Sequence, residues 1–218
     1  MKKIALIHTV QSVAVTFGKE LSGYLGEEVK IYNLWDQFLS INPNEIGEFT
    51  KNNQYRLLND VKNAELTGAD IIVISCSTLT PHIKAIRPYI SIPIVAIDDA
   101  MAARAISFGN KILAVATAKS TIQPTTDKLH EEAAKAGKRI EVDQMVVFEA
   151  YLAMQENDME KHDRVLKEAI KTIRDYDCIV LAQASMASCA TDIENITGIP
   201  TLASPELCMA QIKEILGL

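Results

Sequence analysis

One segment of the chain occurs twice, and that repeat limits the folds available to it. Asp70 to Pro81, DIIVISCSTLTP, reads as a buried apolar run ending at Cys76, then a hydroxyl turn, then a proline that opens a helix. Asp177 to Ser188, DCIVLAQASMAS, repeats the pattern with Gln183 in the place of Cys76. The offset is 107 residues (183 − 76), and Ile92-Pro93 recurs at the same offset as Ile199-Pro200. Ile4 with Ile112, and Thr9 with Thr117, agree at an offset of 108 (112 − 4). A repeat of this length is a domain and not a solenoid turn.

Within each copy, short β-rich runs alternate with helical segments. In the first half, strands are predicted at Ile4–His8, Val29–Trp35, Ile71–Ser75 and Pro93–Ile97. Helices are predicted from Ser12 to about Gly23, from Lys51 to Thr67 with Gly68 as its C-cap, from Pro81 to before Pro88, and from Asp98 or Asp99 to near Gly109. Asp36 to Glu48, with its Asn42-Pro43-Asn44 turn signal, is predicted to be a long irregular connection of the kind that forms lids and site walls. In the second half, strands are predicted at Ile112–Ala116, Arg139–Val146, Cys178–Ala182 and Pro200–Ala203. Helices there run from Thr121 to Gly137, from Glu149 to Gln155, from Asp158 to about Arg174, and from the Gln183 turn to about Ile196, and Pro205 opens the last one.

Alternation of this kind implies a parallel sheet in each half. The expected fold is α/β, in two pseudo-symmetric halves, each a parallel four-stranded sheet flanked by helices, with an active-site cleft between them. The first lobe takes residues 1–98 plus 205–218, and the second takes residues 99–204. Ligands of such sheets bind beyond the carboxyl ends of the strands. Four loops are therefore expected at the cleft: Thr9 to Ser12, Cys76 to Thr80, Thr117 to Thr121 and Gln183 to Ser185. They are rich in hydroxyls, hold no arginine and lie at helix starts, whose free N–H groups suit a carboxylate. The substrate class this implies is a small carboxylate.

Composition removes other classes. The 218 residues are 48% hydrophobic, enough for a real core, and the net charge of −6 argues against nucleic acid as a partner. No run approaches the roughly 18 apolar residues of a membrane span. The opening MKKIALIHTV reads as a strand and not as a signal peptide, so the expected compartment is the cytoplasm. The cysteines Cys76, Cys178, Cys189 and Cys208 form no C-x-x-C pair, and the histidines lack metal spacing, so neither a disulfide framework nor a metal site is expected. Small two-domain enzymes are often dimers, which makes a homodimer the assembly to test, although no segment selects its interface.

The duplicated halves, the C-S-T of Cys76 to Thr78 and the T-x-x-x-T of Thr117 to Thr121 give the chain its likeness to a known family. Over its whole length it resembles the aspartate/glutamate/hydantoin racemase superfamily. The resemblance implies cofactor-independent proton transfer by two cysteines, one from each half, on opposite faces of the substrate α-carbon. Carried over, the first cysteine falls on Cys76, with Ser77 and Thr78 as carboxylate binders. The second falls on Gln183, followed by Ala184 and Ser185. Thr9, Ser12, Thr117 and Thr121 complete the candidate binding set.

Glutamine does not titrate near neutral pH, so it can orient a substrate but cannot carry a proton. The chain is similar to a branch of the family with Gln-Ala-Ser-Met at this place. It also resembles the one-cysteine arylmalonate decarboxylases, which protonate an enediolate from one face. Their cysteine lies in the second half, whereas here it lies in the first. Three functions stay open at this point: a racemase-like isomerase, a one-faced decarboxylase-like enzyme, and a catalytically silent carboxylate-binding or sensing protein. A side-chain helix cap competes with the donor role for Gln183. His8, at the end of the first strand, and Glu149 are candidate second proton carriers, Gln11 is a weaker binding candidate, and His82 is expected to be exposed.

Overall fold

The computed structural model describes residues 1–26, 29–156 and 158–218, and of Ser12 the backbone alone. The chain divides into two compact units, Met1–Ile97 with Cys208–Leu218, and Asp98–Leu207. Each is an α/β unit around a parallel four-stranded sheet.

In the first unit the strands are β1 (Lys2–His8), β2 (Val29–Trp35), β3 (Ile71–Ile74) and β4 (Ile94–Ala96), in the order β2-β1-β3-β4. Ile4 pairs with Ile31 on one side and Ile71 on the other, and Ile72 pairs with Ile94. The inner strands β1 and β3 are covered on both faces, so their sequences are unbroken apolar runs. Helices α1 (Gln11–Leu25), α2 (Phe38–Ile46), α3 (Lys51–Leu66) and α4 (Thr80–Ile86) flank this sheet. Leu57, Val61 and Ala64 form the buried stripe of α3 and pack in one cluster with Ala5, Ile7, Ile72 and Ile74. Thr50 opens α3 with a reciprocal capping box to Asn53, and Gly68, at φ 70°, follows its end.

The predicted irregular connection after β2 is instead the helix α2. Asp36 Oδ1 accepts the Phe38 N–H at 3.1 Å and starts it, and Gly47 at φ 88° stops it. Pro43 sits inside and forgoes one backbone bond. Complete burial of Leu39, worth about 2 kcal/mol, offsets much of that loss. Gln11 and Ser12 likewise belong to the first turn of α1, which shortens the first loop to Thr9 and Val10.

The second unit repeats the plan: β5 (Lys111–Ala116), β6 (Glu141–Val146), β7 (Cys178–Leu181) and β8 (Thr201–Ala203), in the order β6-β5-β7-β8. Its helices are α5 (Asp99–Ala105), α6 (Lys119–Lys135), α7 (Phe148–Gln155), α8 (Met159–Ile170) and α9 (Ala190–Thr197), and α10 (Ser204–Leu216) ends the chain. Ile112, Ala114 and Ala116 of β5 pack with Ile122 and Leu129, while Leu113 and Val115 pack on the other face with Leu166 and Ile170. The helices α5 and α8 stop short of their predicted ends, and α6 begins at Lys119, which puts Thr121 in a helical turn and not in a loop. Asp98 holds the N-cap position of α5 without a side-chain capping bond.

Two details show the duplication in physical terms. Asp70 Oδ2 accepts the Lys3 N–H at 2.7 Å, and Asp177 Oδ2 accepts the Asn110 and Lys111 N–H groups at 2.8 and 2.9 Å. Each aspartate thus ties the start of its unit's third strand to the start of the first. The second detail is the turn after each third strand, predicted after Cys76 and matched in the second unit. A 3₁₀ turn intervenes, Ser77–Leu79 before α4 and Ala184–Cys189 before α9. The carbonyls of Cys76 and Gln183 each accept an N–H three residues on, from Leu79 and Met186, both at 3.0 Å.

Candidate active site

In the first unit the strand ends bring together Thr9, His8 and the segment Ser75–Thr78. Cys76 is extended (φ −128°, ψ 113°), stands at the N-cap of the 3₁₀ turn, and is half-buried against the core. Among the described residues no hydrogen bond holds its Sγ. Ser77 is buried and Thr78 half-buried in the turn that follows. Thr9 is 3% exposed, and its Oγ1 finds no hydrogen-bond partner among the described residues. The Ser12 side chain lies outside what the structure describes.

His8 does not reach toward a ligand. It is fully buried, with Nδ1 2.6 Å from Ser75 Oγ and Nε2 3.0 Å from Asn33 Oδ1. Burial lowers its pKa, against the opposing effect of the Asn33 bond. A neutral ring with both nitrogens engaged bridges the ends of β2, β1 and β3, and it fixes the residue just before Cys76. His82, expected to be exposed, is half-buried and stacks on Phe49 with centroids 3.8 Å apart. Burial lowers its pKa too.

In the second unit Gln183 shares the extended conformation of Cys76 (φ −131°, ψ 138°). Its side chain makes no cap to the turn that follows. Its Oε1 accepts three hydrogen bonds instead, from Thr117 N–H at 2.6 Å, Thr117 Oγ1 at 2.9 Å and, more weakly, Ala118 N–H at 3.4 Å. Thr117 is fully buried, and its hydroxyl is committed to Gln183. Thr121 is buried in the first turn of α6, and Ala184 and Ser185 are half-buried after Gln183.

Glu149 sits apart from this group. It lies exposed in the first turn of α7, on a groove of about 740 Å³ at the end of β6 that Arg164 and Val165 also line. Neither Thr117 nor Gln183 lines that groove. Cys178, Cys189 and Cys208 are buried, and burial pushes the thiols of Cys178 and Cys189 up to about 12. Among the described residues no cluster of histidine, cysteine and acidic side chains is arranged to hold a metal ion. No described helix is long and apolar enough to cross a membrane.

Three features had no signal in the sequence. The Ala118 N–H acts as a backbone donor, which no residue type announces. The His8–Ser75–Asn33 bridge joins positions far apart in the chain. An acidic cluster forms where Asp36, at the end of β2, pairs with Arg56 and shares a hydrogen bond with Asp60. Burial, then that bond, raises Asp60 to about 7.

Two α/β units, each a parallel four-stranded sheet with Cys76 or Gln183 just after its third strand, make a duplicated α/β scaffold. The Asp/Glu/Hydantoin racemase profile matches residues 44–212, and the chain belongs to that family. Solved structures agree on the fold. An aspartate racemase from Picrophilus torridus matches with a TM-score of 0.75 at 21% identity, over 100% of this chain and 95% of that one. A glutamate racemase from Bacillus anthracis gives 0.71 at 17% identity, over 99% and 82%. A variant of arylmalonate decarboxylase gives 0.62 at 14% identity, over 99% and 93%. None of the curated proteins matches the sequence.

Proposed function

We propose that the protein is a cofactor-independent racemase-family isomerase or lyase, which moves a proton at the carbon next to the carboxylate of a small acid, an acidic amino acid being the first candidate. Cys76 is its acid–base group. One observation carries the reading: a half-buried thiol at the end of an inner parallel strand, free of hydrogen bonds among the described residues and followed by a turn of hydroxyl side chains. As a thiolate it takes the α-proton, and the C–H electron pair moves into the carboxylate to give an enediolate. As a thiol it returns the proton. Ser77 and Thr78 hold the carboxylate, with the Thr9 hydroxyl as a further donor to the oxygens that gain charge, and Thr121, Ala184 and Ser185 of the second unit stay candidate binders.

A second reading, one-faced chemistry of the decarboxylase kind, is favoured by the state of Gln183. A side-chain amide whose oxygen already accepts three bonds neither takes nor gives a proton. Neither His8, with both nitrogens bonded, nor Glu149, on a separate groove, replaces the missing thiol.

The test is incubation of L- and D-aspartate, L- and D-glutamate, and phenylmalonate in deuterated water, followed by NMR and chiral chromatography. Deuterium entering the α-carbon with retained handedness, or release of CO2 with deuteration on one face, supports the reading. Loss of either in Cys76→Ser assigns the thiol. Binding of these acids without exchange or decarboxylation, unaffected by Cys76→Ser, would identify a binding protein and overturn the catalytic reading.

A further inference from the structure

The geometry points to Thr117 as a positioning residue that fixes Gln183 as a hydrogen-bond donor to the substrate's oxygens. This inference rests on the carboxylate reading of the site above. An amide side chain can present its oxygen or its nitrogen, and nothing in the residue itself decides which. Here the decision is made by three donors converging on Oε1, two of them from Thr117. Turning the amide over would set NH₂ against the Thr117 and Ala118 N–H groups, donor against donor. The orientation is therefore locked, and Nε2 is the end left to face a ligand. Gln183 is half-buried, and its Nε2 has no hydrogen-bond partner among the described residues.

The role of Thr117 changes accordingly. Its hydroxyl hydrogen goes to Gln183, so it does not donate directly to substrate. It acts through the amide. The end of β7 then offers an N–H donor where a two-cysteine racemase would offer a thiol. Such a group selects an anionic oxygen, a carboxylate or an enediolate, and it contributes no proton. Specificity at this position is set by a donor whose direction the fold imposes.

The substitution Gln183→Glu inverts the signal while keeping the lock. One carboxylate oxygen takes the place of Oε1 among the three donors, and the other faces the ligand as an acceptor. Thr117→Val removes the hydroxyl arm, and Thr117→Ser keeps it. The Gln183 side-chain amide resonances, assigned by their loss in Gln183→Glu, are followed in ¹⁵N–¹H NMR spectra during titration with sodium malonate and with L-aspartate.

In the wild type and in Thr117→Ser these resonances are expected to shift and saturate. In Thr117→Val the apparent affinity falls at least tenfold with the remaining spectrum preserved. In Gln183→Glu binding is lost at neutral pH and returns relative to wild type only as pH falls below the ordinary glutamate range, because the three donors on one oxygen hold the new carboxyl ionised until then. A purely structural Thr117 would not lower affinity in Thr117→Val with the remaining spectrum preserved.

Amide resonances that respond to neither acid would overturn the donor role. Equal affinity in Thr117→Val would overturn the positioning role. Solvent exchange scores Cys76 separately: exchange without an amide response removes this inference alone, and an amide response without exchange removes the reaction and leaves the donor assigned.

Discussion

Gln183→Ala is expected to destabilise the second unit by about 2–3 kcal/mol, far more than a change at the equivalent position in the first unit. Removing Oε1 strands the Thr117 N–H and hydroxyl, now held at 2.6 and 2.9 Å, and the weaker Ala118 N–H at 3.4 Å. Thr117 has no exposed surface, and a buried donor left without an acceptor costs about 1–3 kcal/mol. The hydroxyl can rotate to another acceptor, but the N–H cannot. Water entering beside a half-buried position recovers part of the loss, which brings the sum to the lower part of that range for the pair. Gln183→Glu keeps an acceptor in place and should stay within about 1 kcal/mol of wild type. Cys76→Ser removes no hydrogen bond made within the described residues and should cost no more than about 1 kcal/mol. The assay is urea unfolding followed by circular dichroism, with amide hydrogen exchange at Thr117 as the local probe. If Gln183→Ala matched the wild type within about 0.5 kcal/mol and the Thr117 amide stayed protected, Oε1 would not be the acceptor described, and the fixed orientation of the amide would fall with it.

The other predictions concern the supports of the two units. The Asp60 carboxyl is raised from 3.8 to about 7, by burial first and then by its bond to Asp36, so the folded state holds an extra proton between those values. Its stabilising contribution is full below about pH 4 and is lost as pH rises through about 7; Asp60→Asn should therefore raise the melting temperature more at pH 8 than at pH 5. Lys128, 5% exposed, joins Asp99 at 2.5 Å and Glu132 at 2.8 Å. Lys128→Met takes the cation from Asp99, while Glu132 keeps Lys135 at 2.8 Å, and should cost up to about 3 kcal/mol in urea unfolding, most of it regained when Asp99→Asn is added. A Cβ at Gly109 would lie 2.2 Å from the Asp177 carboxylate and 2.5 Å from the Asp177 Cβ, so Gly109→Ala should lower the melting temperature in the wild type and much less in an Asp177→Gly background, a non-additivity that a double-mutant cycle reads directly.

Much of this architecture was legible in the chain, for a specific reason. Inner parallel strands such as Ile4–Ile7 and Ile71–Ile74 are buried on both faces, so burial prints an unbroken apolar run. The duplication then fixed equivalent positions without any knowledge of contacts, and Cys76 and Gln183 fell at strand ends with matching backbone geometry. What stayed illegible depends on approach through space. Asn42-Pro43-Asn44 reads locally as a turn, yet the burial of Leu39 carries the helix through it. His8 at a strand end reads as a reactive group, yet Ser75 and Asn33 occupy both its nitrogens. Thr117 reads as a ligand hydroxyl, yet its partner lies 66 residues away in the same unit.

These bonded groups bear on what the missing second thiol means. A site that had merely decayed would have no reason to hold the replacement side chain in one orientation, since an unneeded glutamine at a strand end can satisfy its amide in water. Gln183 is held by two strong bonds and one weaker one, and all three converge on its oxygen. The equivalent place in the first unit keeps a thiol with no hydrogen bond to restrain it among the described residues. The two units thus differ at matching places: Cys76 Sγ is held by no hydrogen bond among the described residues, and the Gln183 oxygen is held by three. On the proposed reading, Cys76 supplies the acid–base group and the Gln183 amide a directed donor that stabilises charge.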